Sequence, residues 1–394
     1  MRVTPRLARL GPRWSPSAEA KLVAVVAVAS LALFAFAFLV HPDRPGNHPS
    51  DPRGWYGFYD QRFYLGLANR LADLDLPSPS SYIYGLGYPA LAVPFLWLRP
   101  AGDAFAVPDG LAFGAAMAMV ALLGARLRSV RFGLGAAAAT ALATPLLELM
   151  VVPWNTTVTV VAVLAALVVA TNPGPLTWRG ATVIGLATGA AFAARYVDAA
   201  FPAAIGLVAL RRAGPVRTTF LTWLTAGAAA AAVAVPVLVT HAAVLDSPWR
   251  TPYAVQEGAG GVGTNQQSLS NMDVGDIPRH FVDTFVIGDV DGERRDYADP
   301  LLRRFPWALL APLGAVALLV RRHRLRVPFL VALGVSAAGT LFYLAYPGSD
   351  GAQLRFGNLH YWKCWFPLWA LLGAYAVAVV ADRLTGRKEE TSAP

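Results

Sequence analysis

Long apolar runs separated by short, arginine-bearing breaks dominate the chain. The first run is Lys21–Val40. Others follow at about Phe105–Leu123, Phe132–Met150, Val158–Ala170, Ala181–Ala194, Ala199–Leu210, Phe220–Thr240, Trp307–Val320, Val327–Tyr346 and Phe366–Ala381. The longer runs reach or approach the roughly twenty residues that cross a hydrocarbon core. The pattern predicts an all-α polytopic membrane protein, a single membrane domain over residues 1–394 with about ten transmembrane helices. The Arg-rich start before Lys21 and the length of the first run predict a signal anchor rather than a cleaved signal.

A different periodicity marks the stretch GWYGFYDQRFYLGLANRL, Gly54–Leu71. At 100° per residue, Asp60, Phe63, Tyr64, Leu67, Leu71 and Leu74 share one arc. Arg62, Asn69, Arg70 and Asp73 fall on the other side. This predicts a short amphipathic helix with Asp60 on its apolar face or at its start. An acid in that position costs free energy unless it has a partner or a task. It either caps the helix by accepting from the first free N–H groups or serves some chemistry.

Charge sets the expected orientation. With the N-terminus inside, the inner segments include RLRSVR, RRAGPVR, RRHRLR and the C-terminal tail. Together the inner segments hold 19 of the 33 Lys and Arg but only 4 of the 24 acids. Short cytoplasmic loops are rich in Lys and Arg. The stretch YIYGLGYPALAVPFLWL, Tyr82–Leu98, is apolar enough to be weighed as a further span. Counting it would place RRHRLR outside, so it is expected to be a re-entrant or interfacial segment. Its two prolines and its glycines agree with that. Both termini are therefore expected in the cytoplasm, and the protein in the plasma membrane.

Composition narrows the classes. The chain is 56% hydrophobic and 14% charged, far from the quarter charged of soluble domains. The net charge of +9 is a topology signal, and no nucleic-acid partner is expected. One cysteine, Cys364, excludes an intramolecular disulfide and a cysteine-based metal cluster.

The chemistry is expected in three outer loops, 41–104, 244–306 and 347–365. Within the apolar runs, Glu148, Arg195 and Asp198 stand out, each near an outer end. Arg195 and Asp198, at i and i+3, either pair with each other or serve a site. In the third loop Arg355, His360 and Lys363 precede the last run. Such a cluster holds a lipid phosphate or, with Tyr361, Trp362 and Trp365, anchors a helix at the interface. Asp289, Asp291 and Glu293 alternate in GDVDGERRDYADP. That spacing suggests a cation site but lacks the remaining ligands of an EF-hand loop, and Arg294 and Arg295 can neutralise it. NTT at Asn155 matches a glycosylation sequon by pattern only. Ionisable groups at mid-membrane, usual in ion-coupled transporters, are not evident.

The order of these features resembles the GT-C superfamily of membrane glycosyltransferases, which includes protein mannosyltransferases and lipid A aminoarabinose transferases. The resemblance rests on YDQRFYLGLANRLA after the first span and on the Tyr/Gly/Pro-rich Tyr82–Leu98 segment. It rests further on ATVIGLATGAAFAARYVDAAFPAAIGLVAL and on RFGNLHYWKCWFPLWALLGAYAV at the end. Two departures are visible. Gln61 follows Asp60 where many members have a second acid, and Asn155 stands where relatives often carry one.

The resemblance implies a polyprenyl-phosphate sugar donor and an acceptor hydroxyl on a glycan, lipid or protein, at the outer face of the bilayer. It implies Asp60 as general base. Arg355, then Arg195, Lys363 and His360, would bind the donor phosphate, with Arg62 orienting Asp60 or touching that phosphate. Tyr64, Tyr84 and Tyr88 would line the sugar pocket. No cofactor and no metal are expected. The rival classes are an O-antigen polymerase or ligase using Arg279 and His280, a lipid or polysaccharide transporter, and a scaffold without activity.

Overall fold

The computed structural model describes residues 16–57, 60–98, 103–210, 216–252, 273–287, 300–345 and 356–386. The protein is all-helical, with no strand among the described residues. Five helices are long and apolar enough to cross a membrane by length and composition. They are α1 (Pro16–Val40), α4 (Ala106–Leu127), α10 (Val216–Leu245), α14 (Arg326–Leu344) and α15 (Phe366–Thr385). Shorter apolar helices pack among them: α5 (Val130–Leu142), α7 (Thr156–Thr171), α8 (Trp178–Ala194), α9 (Ala200–Leu210) and α13 (Trp307–Val320).

The remaining elements are short. α2 (Gln61–Ala72) and α3 (Gly87–Leu96) build the first loop, and α6 (Leu146–Val151) follows α5. α11 (Ile277–Phe281) and α12 (Leu301–Arg304) lie in the second. One expectation changes here. The run Phe132–Met150 is two helices, broken before Pro145, which has no N–H for the ladder; the Thr144 hydroxyl accepts from Leu146 N–H at 3.1 Å instead. Of Tyr82–Leu98, only Gly87–Leu96 is helical, opened by Pro89 in its first turn.

Where helices meet, small residues let backbones approach closely. Gly189 of α8 faces the Ala230 carbonyl of α10, at 2.7 Å from where a Cβ would stand. Gly314 of α13 sits more tightly still on Leu372 of α15, as does Gly133 of α5 on Ala121 of α4. Burial grades the helices. The apolar window of α4 is 61% buried within the protein, whereas those of α1 and α10 are 22% buried. α4 is therefore central, and α1 and α10 present apolar flanks outward, as a bilayer environment accommodates.

Ion pairs define one end of the helices. Arg128, after α4, meets Asp382 of α15 at 2.7 Å. Arg126 meets Glu19 of α1 at 3.7 Å. At the other end lie α2, α3, α6 and the segment before α15. There Gly85 and Gly87 rest on the backbone of Ala193 and Ala194, the last turn of α8. A Cβ at Gly85 would lie 2.8 Å from the Ala194 carbonyl and closer still to that of Ala193. Gly85→Val is therefore expected to lift the first loop off α8 and cost about 1–3 kcal/mol, the usual overpacking range. Thermal unfolding of the detergent-purified chain checks this, and an unchanged midpoint would contradict the docking.

Candidate active site

Asp60 occupies the N-cap position of α2, but its side chain makes no capping hydrogen bond. Its backbone is already helical (φ −53°, ψ −25°), whereas a capping residue is usually extended so that its side chain can turn back to the first N–H groups. The carboxylate instead accepts from the Tyr84 hydroxyl of the first loop. It also lies in the field of Arg195 and Arg62. Burial pushes Asp60 up, and Tyr84, Arg195 and Arg62 pull the other way; the net position is above the ordinary aspartate value. A half-buried carboxylate raised above its ordinary value, with cations nearby, is suited to accept a proton from a hydroxyl.

Arg195 is placed by the end of α8. It is extended (φ −153°, ψ 113°), so it ends the helix and opens the short 3₁₀ turn Tyr196–Ala199. Its guanidinium carbon lies 4.6 Å from the ring centre of Tyr361 and 5.3 Å from that of Tyr343. Such faces favour a cation, and a guanidinium most of all. The expected pairing with Asp198 is present, Nε to Oδ2 at 3.7 Å. Asp198 is also held by the Thr159 hydroxyl at 2.6 Å and by that of Tyr343. Its oxygens are thus shared between two hydroxyl donors and the arginine.

The three tyrosines assigned to a sugar pocket do come together. Tyr64 lies 5.0 Å from Tyr84 and 5.3 Å, edge-on, from Tyr88. Tyr64 and Tyr88 are fully buried, so they form the wall behind Tyr84. Tyr84 alone of the three is partly exposed. Arg62 is exposed, with its guanidinium 4.5 Å from the Phe63 ring.

His360 stacks flat on Trp154, centroids 3.8 Å apart and planes at 9°, and Tyr361 follows it toward Arg195. Lys363, grouped with the phosphate ligands on sequence grounds, turns inward. It is completely buried, donating to the Leu149 carbonyl at 3.1 Å and to the Thr157 hydroxyl at 2.8 Å. Burial pushes its ammonium down to about 7, against the opposing field of Asp109. Arg355 lies outside the described residues, as do Asp289, Asp291 and Glu293.

Two neutral amides tie this end together. Gln61 donates to the Pro153 carbonyl at 3.1 Å, and Asn155 to that of Ala194 at 3.3 Å. They join α2 to the start of α7, and α7 to the end of α8, beside Asp60 and Arg195. Glu148 pairs with Arg304 at 3.3 Å and takes no part in the Asp60–Arg195 arrangement. His280 is buried, its Nδ1 2.7 Å from the Leu344 carbonyl.

Sequence reasoning passed over Asp109, Trp154 and Tyr343. Asp109 had a readable signal, an acid in the first turn of a long apolar helix. Trp154 and Tyr343 had none, since they matter through contacts with His360 and Arg195 far along the chain. A cleft at the opposite end, lined by Asn172, Thr177 and Ala209 among others, carries no ionisable side chain. Compared with known proteins, the chain matches no family model, no curated protein and no solved structure.

Proposed function

We propose that this protein is a membrane glycosyltransferase of the GT-C kind, moving a sugar from a polyprenyl-phosphate donor to an acceptor hydroxyl. The observation that supports it best is Asp60, held by Tyr84 beside the aromatic-faced Arg195 at one end of an apolar helical bundle. In this reading the apolar runs cross the bilayer ten times, α5 alone crossing for the run Phe132–Met150, and the end bearing Asp60 faces outward. The opposite end, with Arg126, Arg128 and Arg321, is the cytoplasmic one, as the positive-inside tendency requires.

The proposed reaction is a single displacement. The acceptor O–H loses its proton to the Asp60 carboxylate as its oxygen bonds to the anomeric carbon. The bond from that carbon to the phosphate oxygen breaks, and its electron pair leaves with the lipid phosphate. Positive charge placed where negative charge develops stabilises such a transition state. Arg195 supplies it in this reading, and Arg62 and Arg355 are the further cations available. Tyr84 orients the base, and its exposed edge borders the sugar. The lipid chain would lie between apolar helix flanks.

Displacement in one step inverts the anomeric centre. The product from a β-linked donor is therefore expected to be α-linked, and the reverse, readable by NMR of the isolated glycoside. Retention of configuration would require a covalent intermediate and would overturn the role given to Asp60.

A further inference from the structure

Lys363 and Asp109 are both buried, 0% and 1% exposed. Taking charges of opposite sign out of water costs several kcal/mol each unless they compensate one another. One hydroxyl, that of Thr157, stands between them. Thr157 accepts from Lys363 Nζ at 2.8 Å and stands next to the Asp109 carboxylate. One Asp109 oxygen accepts from the Tyr88 hydroxyl at 2.7 Å, and the other is buried without a hydrogen-bond donor. Lys363 also holds the last turn of α6 through the Leu149 carbonyl.

Each member of this pair leads to one half of the site. Lys363 follows Tyr361, whose face receives Arg195, and His360, which stacks on Trp154. Tyr88 stands edge-on to Tyr64, and Tyr64 packs on Tyr84, the donor to Asp60. The two halves come from segments some 250 residues apart and meet at this pair.

We infer that Lys363 and Asp109, buried on either side of Thr157, are a positioning pair that locks residues 359–365 to the first loop and so sets Arg195 against Asp60. Its catalytic meaning rests on the glycosyltransferase reading; the lock itself does not. Removing one partner strands a buried charge, whereas removing both leaves none. A pair therefore predicts rescue in the double variant, and simple packing does not.

Cys364, the one cysteine of the chain, is buried next to Lys363 and reports on the lock. The experiment compares wild type, Lys363→Met, Asp109→Asn and the double variant, each as the full chain in lipid nanodiscs. Labelling of Cys364 by N-ethylmaleimide and the kcat and KM for donor are measured. Each single variant is expected to label about tenfold faster or more through local opening, and the double variant to return toward wild type. In the singles kcat is expected to fall by about tenfold or more, with a smaller change in KM, because geometry rather than binding is disturbed. The double variant is expected to recover kcat.

Singles that label at the wild-type rate, or a double variant that labels as fast as they do, overturn the pair. If the singles do not fold, folding of the double variant supports it and its failure overturns it. Absence of transfer by wild type would sink the functional reading, and the labelling result would still decide the lock.

Discussion

Asp60→Asn is expected to abolish sugar transfer to within a fraction of a per cent of wild type while leaving donor binding intact. The side chain is isosteric and still accepts from Tyr84, so the first loop keeps its shape. What it loses is the capacity to hold the acceptor proton as the new bond forms, a contribution of about 10²–10⁴-fold in comparable enzymes. The pH profile gives a second readout. A base works in its deprotonated form, so activity is present above its pKa and lost as pH falls through it. Because burial raises Asp60 above the ordinary aspartate value, the acid limb of kcat/KM should lie above the usual carboxylate range of about 4. Steady-state rates from pH 4 to 8 check this. A limb at the ordinary aspartate value would contradict the environment assigned to Asp60.

Arg195→Gln is expected to cost about 10²–10³-fold in kcat/KM, the scale of losing a preorganised charge opposite the leaving group. Arg195→Lys should recover only part of that. A lysine keeps the charge, but it cannot lay a planar fork on the faces of Tyr361 and Tyr343 or reach Asp198 in the same way. The variant should also move the acid limb. Arg195 stabilises the charged form of Asp60, so its loss raises the Asp60 pKa further and shifts the limb to higher pH. A limb that stays in place would mean that the two groups do not sense one another. Asp198 retains its bonds to Thr159 and Tyr343 in these variants, which limits collapse of the site; monodispersity and the thermal midpoint serve as controls.

The helices were legible because their signal is local. Trp307–Val320 stands where its apolar run predicts, and α15 begins at Phe366 as expected. The errors came where one residue overrides a run, as Pro145 does between α5 and α6. The amphipathic helix after Gly54 was legible too, with Tyr64 and Leu67 on its buried face. Its far end was not. Leu74 is 90% exposed and has φ +58°, because the chain has already turned away by Asp73. Helical periodicity carries no information beyond the helix that generates it.

The site was half legible for the same reason. Asp60 and Arg195 stand out as ionisable groups in apolar surroundings, which any reading along the chain detects. Their partners do not. Tyr343 and Tyr361 look like ordinary interfacial aromatics, Tyr84 was set apart only through the resemblance, and the fold alone brings them to Arg195 and Asp60. Lys363 illustrates the converse. Its position before α15, among tyrosine and tryptophan, matches an interfacial or phosphate-binding lysine, yet the fold closes over it with Thr157 and Asp109. A buried partner some 250 residues away is invisible to spacing.

The central claim is tested most directly by transfer of radiolabelled sugar in reconstituted membranes. Polyprenyl-monophosphate and polyprenyl-diphosphate donors are offered to wild type and Asp60→Asn, with donor binding measured on the same preparations. The account predicts turnover from a monophosphate donor by wild type, and none by Asp60→Asn although it binds that donor. Turnover that survives in Asp60→Asn, or turnover confined to diphosphate donors, would contradict it.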